Sequence, residues 1–465
     1  MAEASVERFE ALLTPQGREL LDHLATHAMP ADTAPTDTVP VDTALRLGTE
    51  LRARYPADLV AAALAQHELR LQARAKFSRA MQMFFTRPGL EQASAEVVAR
   101  HRSGRYGAAG KLADLCCGIG GDLVVLAGSR RVLAVDRDPL HLRIARANAE
   151  VYGAADVKLV QSDVREVDLA GLDAIFVDPA RRASGRRLRA GQSDPPLEWC
   201  LGLAGRIGAV GIKAAPGLPH AAVPPGWELE FIAVGRALKE AVAWSPALAT
   251  GATRATILSP GRTLPPGRTL PLGRTLPLGR TLPLGRTLPL GRTLPLGRTL
   301  PPGHKLPQER VLPPEANTLP PQVHTLVPEP GPPAEIRMPG EFLLDPNPAV
   351  TRAGLVQELA RSLRAWKIDD QIAFLSADVP LRSPFGRALR VIDSAPWHQK
   401  QLPARLRRLD IGAVDIRRRG LAGDVDLLHR RLRLSGSRRA TLVMTRVQDR
   451  PWGLICLDLD QPGAS

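Results

Sequence analysis

Leu112-Ala-Asp-Leu-Cys-Cys-Gly-Ile-Gly-Gly-Asp122 places an apolar run directly before a tight glycine turn. A second run, Arg131-Val-Leu-Ala-Val-Asp136, ends in an acid, and a third, Asp173-Ala-Ile-Phe-Val-Asp-Pro-Ala-Arg-Arg182, passes through Asp178-Pro179. Strand, glycine turn, helix and a strand ending in an acid form the unit that holds a nucleoside at the carboxyl edge of a parallel sheet. The chain is therefore expected to carry an α/β domain with a Rossmann-like sheet.

The residues of the turn narrow the ligand. Gly118, Gly120 and Gly121 let backbone approach a ligand closely, but Leu123 stands where a dinucleotide fingerprint has its third glycine. Asp114 lies just ahead of the turn, placed to accept the ammonium of an amino-acid tail, which nicotinamide cofactors lack. Asp136 follows the turn by about twenty residues, where a carboxylate grips ribose hydroxyls. Asp163, in Val160-Gln-Ser-Asp163, ends the next strand, placed to meet an adenine amino group. Together these elements predict S-adenosyl-L-methionine. The candidate cofactor residues are Asp114, Cys116, Gly118, Gly120, Gly121, Asp136, Asp163 and Asp178.

The same stretch resembles class I S-adenosylmethionine-dependent methyltransferases. Gly118-Ile-Gly-Gly, Val135-Asp-Arg-Asp-Pro139 and Asn148-Ala-Glu-Val-Tyr-Gly153 look like the trimethylguanosine synthase branch, which methylates a guanine exocyclic amine. Phe84-Phe-Thr-Arg-Pro-Gly-Leu-Glu-Gln-Ala-Ser94, Asp178-Pro-Ala-Arg-Arg182 and Leu409-Asp-Ile-Gly-Ala-Val-Asp-Ile-Arg-Arg-Arg-Gly420 resemble actinobacterial-type methyltransferases with a C-terminal THUMP-like domain. The resemblance spans nearly everything but the repeats described below, and it implies an RNA substrate, with rRNA and tRNA as the expected classes.

Asp178-Pro179 sits where amine methyltransferases keep an Asp/Asn-Pro-Pro-aromatic motif. The Asp178 carboxylate and Pro179 carbonyl would accept the amine N–H groups and turn its lone pair toward the methyl group. Ala180-Arg181 replaces Pro-aromatic, leaving Arg181 to stack through its guanidinium plane or to hold a phosphate. Asp178, Pro179 and Arg181 are the candidate catalytic residues. Asp-Pro-Ala-Arg also resembles uracil-C5 methyltransferases, which need a cysteine after the next strand. Ile212-Lys-Ala-Ala-Pro-Gly217 has none, and Cys200 falls upstream on an intervening helix, so carbon-5 chemistry is rejected. Arg181, Arg182, Arg186, Arg187 and Arg189 form a basic loop past the catalytic strand, Lys239, Glu240 and Trp244 are candidates to line the substrate side, and Phe84, Phe85 and Thr86 are candidates to close over cofactor or base.

Outward from this core, residues 1–105 read as a helical domain, interrupted by a loop at Ala31–Pro40, with Ser94 a candidate N-cap for a helix leading to the basic His101-Arg-Ser-Gly-Arg105. Residues 106–258 read as the methyltransferase domain, with a helix after Pro139 and further strands at Ile207–Lys213, Leu229–Val234 and Ala255–Leu258. From Gly261 to Pro302 the hexapeptide Gly-Arg-Thr-Leu-Pro-Leu/Pro recurs seven times. Its proline and glycine forbid helix and weaken any strand, so 259–339 is read as a linker. Residues 340–465 read as an α+β domain: a helix at Thr351–Ala365, strands at Leu389–Ile392, Gly412–Ile416, Ala440–Val447 and Trp452–Leu457, and a helix at Val425–Leu432.

With 465 residues the chain has room for several domains, and its net charge of +15 points to a polyanionic partner. Arginines from Arg405 to Arg439 concentrate in the last domain with few carboxylates to balance them. Aromatics are scarce there, so contact with the shape and phosphates of folded RNA is expected over single-strand stacking. No stretch of about 18 apolar residues exists, so no membrane partner is expected. The four cysteines show no paired spacing, so neither metal nor disulfide is expected, and a cytoplasmic location fits. An RNA-binding protein that has lost activity and a small-molecule methyltransferase remain as alternatives.

Overall fold

The computed structural model describes residues 2–27, 48–154, 156–180, 182–183, 186–187, 192–259 and 322–459. The hexapeptide repeats and the loop at 31–40 lie outside them. In chain order the strands are β1 (Lys111–Leu115), β2 (Arg131–Asp136), β3 (Val157–Gln161), β4 (Ala174–Val177), β5 (Arg182–Ala183), β6 (Arg186–Arg187), β7 (Ala209–Ala214), β8 (Glu228–Val234), β9 (Ala237–Trp244), β10 (Thr253–Ser259), β11 (Gln322–Leu326), β12 (Phe342–Pro346), β13 (Trp366–Lys367), β14 (Leu375–Ala377), β15 (Gly386–Pro396), β16 (Ile411–Arg418), β17 (Arg438–Val447) and β18 (Arg450–Asp458).

The larger sheet has the order β11-β10-β8-β9-β7-β4-β1-β2-β3. β3, β2, β1, β4 and β7 are parallel, and β9 inserts antiparallel between β7 and β8. The chain moves outward from β1 through β2 to β3, then returns to β4 on the other side of β1. The strand order thus reverses between β1 and β4, and a ligand crevice opens at the carboxyl ends there. β9 is absent from the sequence-based expectation, because Lys239-Glu240 interrupts its alternation. Gln322–Leu326, within the stretch read as linker, joins the far edge of the sheet.

Helices Ala2–Leu13, Pro15–His27, Ala57–Ala73, Arg87–Gln92 and Glu96–Ser103 precede the sheet. Their core of Leu20, Leu24, Val60, Phe77, Phe84 and Phe85 is continuous with Ile119 of the glycine turn and Ile144 of helix Pro139–Val151. That helix starts as its sequence predicts, with Pro139 in the first turn and the Asp138 side chain accepting from the Leu140 and His141 amides. Ser94 does not cap Glu96–Ser103. The helix begins two residues later behind Ala95, and the Ser94 hydroxyl is buried without a hydrogen-bond partner among the described residues.

The basic end of Glu96–Ser103 fastens this layer to the sheet through buried ion pairs. Arg102, 1 % exposed, donates to Asp122 and to Glu240 of β9 and lies 4.8 Å over the Phe176 ring. Burial works against its charge, but the two acids outweigh it and its pKa is raised. Arg105 donates to Glu228 at 2.8 Å, and His101 meets Glu230 at 2.7 Å. Glu230 also accepts from Trp244 Nε1 and Thr256 Oγ1. Burial alone would raise the Glu230 pKa, yet these bonds bring it down to about 2.

The second sheet, β13-β14-β12-β15-β18-β17-β16, is antiparallel except for the parallel pair β16–β17. The helix expected over Thr351–Ala365 is two helices, Pro348–Ala353 and Val356–Leu363, because Gly354 takes φ +74° and ends the first. Pro348–Ala353 packs on the catalytic sheet: Ala349, Val350 and Ala353 share a core with Phe231 and Ile257, and Asn347 Nδ2 donates to the Gly235 carbonyl at 2.8 Å. Among the described residues no helix is long and apolar enough to cross a membrane.

Replacing Arg102 with Met would leave Asp122 and Glu240 buried and unbalanced. A loss of about 3–5 kcal/mol is expected in denaturant unfolding. The stability due to the depressed Glu230 pKa is fully present above about pH 4.5 and is lost as pH falls toward 2. The gap in unfolding free energy between the native protein and Glu230→Gln should therefore close as pH falls across that window.

Candidate active site

The strand register gathers the acids read from the sequence. Asp114 of β1 lies level with Phe176 of β4 and Ala134 of β2, so Asp114, Asp136 and the β4 residues leading to Asp178 alternate onto one face. Asp178 follows β4 directly, its amide donating to the Leu115 carbonyl at 3.1 Å. The face continues through Lys213 of β7 to Glu240 of β9.

The turn between β1 and the following helix is fixed by backbone. Cys116 takes φ +63°, Gly118 +54° and Gly120 +84°. The three glycines have different reasons. Gly118 faces open space, so a ligand can approach it. A side chain on Gly120 would sit 3.1 Å from Ala145 Cα, and one on Gly121 would sit 3.0 Å from Ala93 Cβ. The left-handed φ thus explains Gly118, whereas packing of the turn between two helices adds a steric reason for the others.

Asp136 accepts from the Gly118 amide through Oδ2 at 2.8 Å and from the Asp138 amide through Oδ1 at 2.9 Å, which fixes its carboxylate beside the turn. Asp163 accepts from the Arg165 amide at 3.0 Å and the Arg165 guanidinium at 2.9 Å. Asp114 is 1 % exposed, and neither of its oxygens has a hydrogen-bond partner among the described residues. Burial, then the charges of Asp122 and Asp178, push its pKa well above the usual carboxylate range. A buried carboxyl without a partner lacks a cation or donor, and S-adenosylmethionine, with an ammonium and a sulfonium, suits this cradle.

Asp178 Oδ2 is met by Lys213 Nζ at 2.5 Å. Lys213 is a site residue that sequence reasoning passes over, since its stretch is informative there only for a missing cysteine. The available signal is a lysine near the carboxyl end of the strand paired with the Asp178 strand. Pro179 is buried, and Arg181 lies outside the described residues. The chain pairs Ala180 with Asp194 through two backbone bonds of 2.9 Å, and between them β5 and β6 form an antiparallel hairpin. Ala180 and Asp194, on either side of the basic stretch, are thus neighbours beside Pro179. Asp194 also binds Arg137 and Arg165, tying the base of the loop to the loops after β2 and β3.

Several candidates sit elsewhere. Phe84 and Phe85 do not close over the site. They are buried in the helical core, where Phe84 packs against Phe9 and Arg70. Their backbone matters instead: Asn148 accepts from the Phe84 amide and donates to the Phe84 and Ile119 carbonyls, joining the helical layer to the glycine turn. Thr86 caps helix Arg87–Gln92. Trp244 is wholly buried, Glu240 is taken by Arg102, and Lys239 is exposed. Burial favours the neutral thiol at both Cys116 and Cys200, raising the Cys116 pKa and pushing Cys200 up to about 12.

Comparison with known proteins agrees with this geometry. Residues 109–191 match the model for RNA cap guanine-N2 methyltransferase, residues 386–457 the THUMP domain-like model, and residues 5–73 a domain of unknown function. Two Mycobacterium tuberculosis proteins, from strains CDC 1551 and H37Rv, are described as uncharacterized S-adenosylmethionine-dependent methyltransferases. Each is 32 % identical over 377 residues, covering 79 % of this chain and 85 % of its own. The crystal structure of a candidate methyltransferase from Porphyromonas gingivalis W83 superposes with a TM-score of 0.63 at 18 % identity, over 95 % of this chain and 98 % of that one, and shows the shared fold. With the strand order, the glycine turn and the acids at the β1–β4 crevice, these relatives show that the chain belongs to the S-adenosylmethionine-dependent methyltransferases.

Proposed function

We propose that this enzyme methylates an exocyclic base amine in structured RNA. The observation that carries this reading is the position of Asp178-Pro179 directly after β4, at the crevice where the strand order reverses. When bound, S-adenosylmethionine supplies an electrophilic methyl group on sulfur. Gly118 lets backbone approach it, Asp136 holds the ribose hydroxyls, Asp163 faces the adenine amine, Asp114 answers the ammonium, and Cys116, Gly120 and Gly121 shape the turn. Asp178 Oδ1, which makes no hydrogen bond among the described residues, accepts one amine N–H, and the Pro179 carbonyl accepts the other. The nitrogen lone pair then faces the methyl group, and in-line positioning supplies most of the rate. Arg181 stands in for the aromatic of related motifs, stacking on the base or taking its phosphate.

The four-part division of the sequence at 105, 258 and 339 is kept as part of this proposal, except that Gln322–Leu326 belongs with the catalytic sheet and not the linker, and the last part is the RNA-capturing module. Several of its arginines are already engaged: Arg405 and Arg408 with Asp393, Arg419 with Asp345, and Arg439 with Asp415. Arg407, Arg417, Arg430, Arg431 and Arg433 are exposed and make no ion pair among the described residues. They lie on β16 and on or just beyond helices Leu402–Arg408 and Val425–Arg431, whose leucines pack into one core with Ile411 and Val414 of β16. These five are the phosphate contacts we assign. A protein that binds RNA without turnover, or one acting on a small molecule, would behave differently in the experiments below.

Native protein should transfer tritiated methyl from S-adenosylmethionine to total RNA from a strain lacking the gene. Asp178→Ala should lose about a hundredfold or more of that rate. Label equal for both proteins would remove Asp178 from the mechanism, and unlabelled RNA despite cofactor binding would move the acceptor elsewhere. Truncation after about residue 340 is a poor test of RNA capture, because Ala349, Val350 and Ala353 complete the core of the catalytic sheet. Replacing the five exposed arginines with Gln should weaken RNA binding and leave cofactor affinity intact. The slope of log affinity against log salt should shrink by about 0.7–0.9 for each phosphate no longer neutralised.

A further inference from the structure

Lys213 is 5 % exposed, and its ammonium has three N–H donors. Among the described residues it spends one, on Asp178 Oδ2. The other nearby acid, Glu240, is bound by Arg102. A buried ammonium with unspent donors is costly unless something accepts from it. The place where an acceptor would arrive is the one beside Asp178, where the base enters.

The site therefore presents two complementary groups side by side: an acceptor, Asp178 Oδ1, and a donor, Lys213 Nζ. Bases with an exocyclic amine carry the matching pair on one edge. The amine N–H lies next to a ring nitrogen without hydrogen, N1 in adenine and N3 in cytosine or guanine. Uracil instead offers N3–H between two carbonyls, so a ring nitrogen in that place would set donor against donor. Resting on the amine reading above, we propose that Lys213 determines specificity by donating to the unprotonated ring nitrogen adjacent to the methylated amine. The carboxylate then selects the amine, and the ammonium fixes which way the base edge lies. If Lys213 served only to neutralise Asp178, its loss would slow every substrate alike.

The test uses the full chain. Labelled RNA from the strain lacking the gene is first digested to nucleosides, which names the methylated base and atom. A short RNA carrying that base at the mapped position is then compared with one whose adjacent ring nitrogen is replaced by C–H (1-deazaadenine, 3-deazacytosine or 3-deazaguanine). A hydrogen bond to a charged group is worth about 1.5–3 kcal/mol, so native protein should methylate the deaza RNA roughly ten- to a hundredfold more slowly. Lys213→Met should turn over both RNAs at one reduced rate, while Lys213→Arg should recover part of the preference. Binding of S-adenosylhomocysteine by calorimetry should be the same for native and variant proteins. Deaza RNA methylated at the native rate, or Lys213→Met keeping the full preference, would overturn the assignment, and the first comparison needs no variant to fold. A methyl group found on a base carbon or a ribose oxygen would overturn the amine reading and this proposal together.

Discussion

The Arg102 guanidinium, buried between Asp122 and Glu240, ties together parts of the chain that are far apart in sequence. Asp122 ends the glycine turn, and Glu240 belongs to the antiparallel strand inserted beside β7. One side chain thus sets the helical layer, the cofactor turn and the far half of the sheet against each other. Breaking such a pair leaves buried charge without compensation, which is why the arrangement tolerates little local change. His101 and Arg105 repeat the device on Glu230 and Glu228. The N-terminal helices therefore act as a structural part of the catalytic sheet.

Below the crevice the charges are unevenly distributed. Asp114, Asp122, Asp178 and Glu240 lie around two cations, Arg102 and Lys213, and Asp114 has no hydrogen-bond partner among the described residues. Burial and neighbouring acids keep Asp114 and Glu240 on the raised side, whereas Glu230, with three hydrogen bonds, is driven down. All three are out of water: Asp114 has no partner among the described residues, at Glu240 burial outweighs the Arg102 cation, and at Glu230 the contacts with His101, Thr256 and Trp244 outweigh burial.

The second sheet is joined to the first by packing as well as by chain. Pro348–Ala353 covers β8 and β10, so the core of the catalytic sheet runs on into residues from the last third of the sequence. Its arginines divide into those that bind carboxylates within the fold and those left on the surface. Net charge counts both equally, although the charge of the first kind is already partly neutralised.

The glycine turn, the acid at the end of β2, the Asp178-Pro179 corner and the capped helix after Pro139 are legible in sequence because each is a local device: a backbone angle, a cap or a strand end fixed by neighbouring residues. The turn at Gly354 and the strand β9 are not, the first because a single φ decides it and the second because buried Glu240 breaks the apolar alternation. Phe84 and Phe85 look like site residues in sequence because an apolar cluster near a motif reads the same whether it faces ligand or core. Lys213 and Arg102 acquire meaning only from their partners, 35 and 138 residues away in the case of Asp178 and Glu240. Local sequence determines angles and caps, whereas ion pairs depend on which strands become neighbours. That adjacency is set by sheet order, which only the tertiary structure decides.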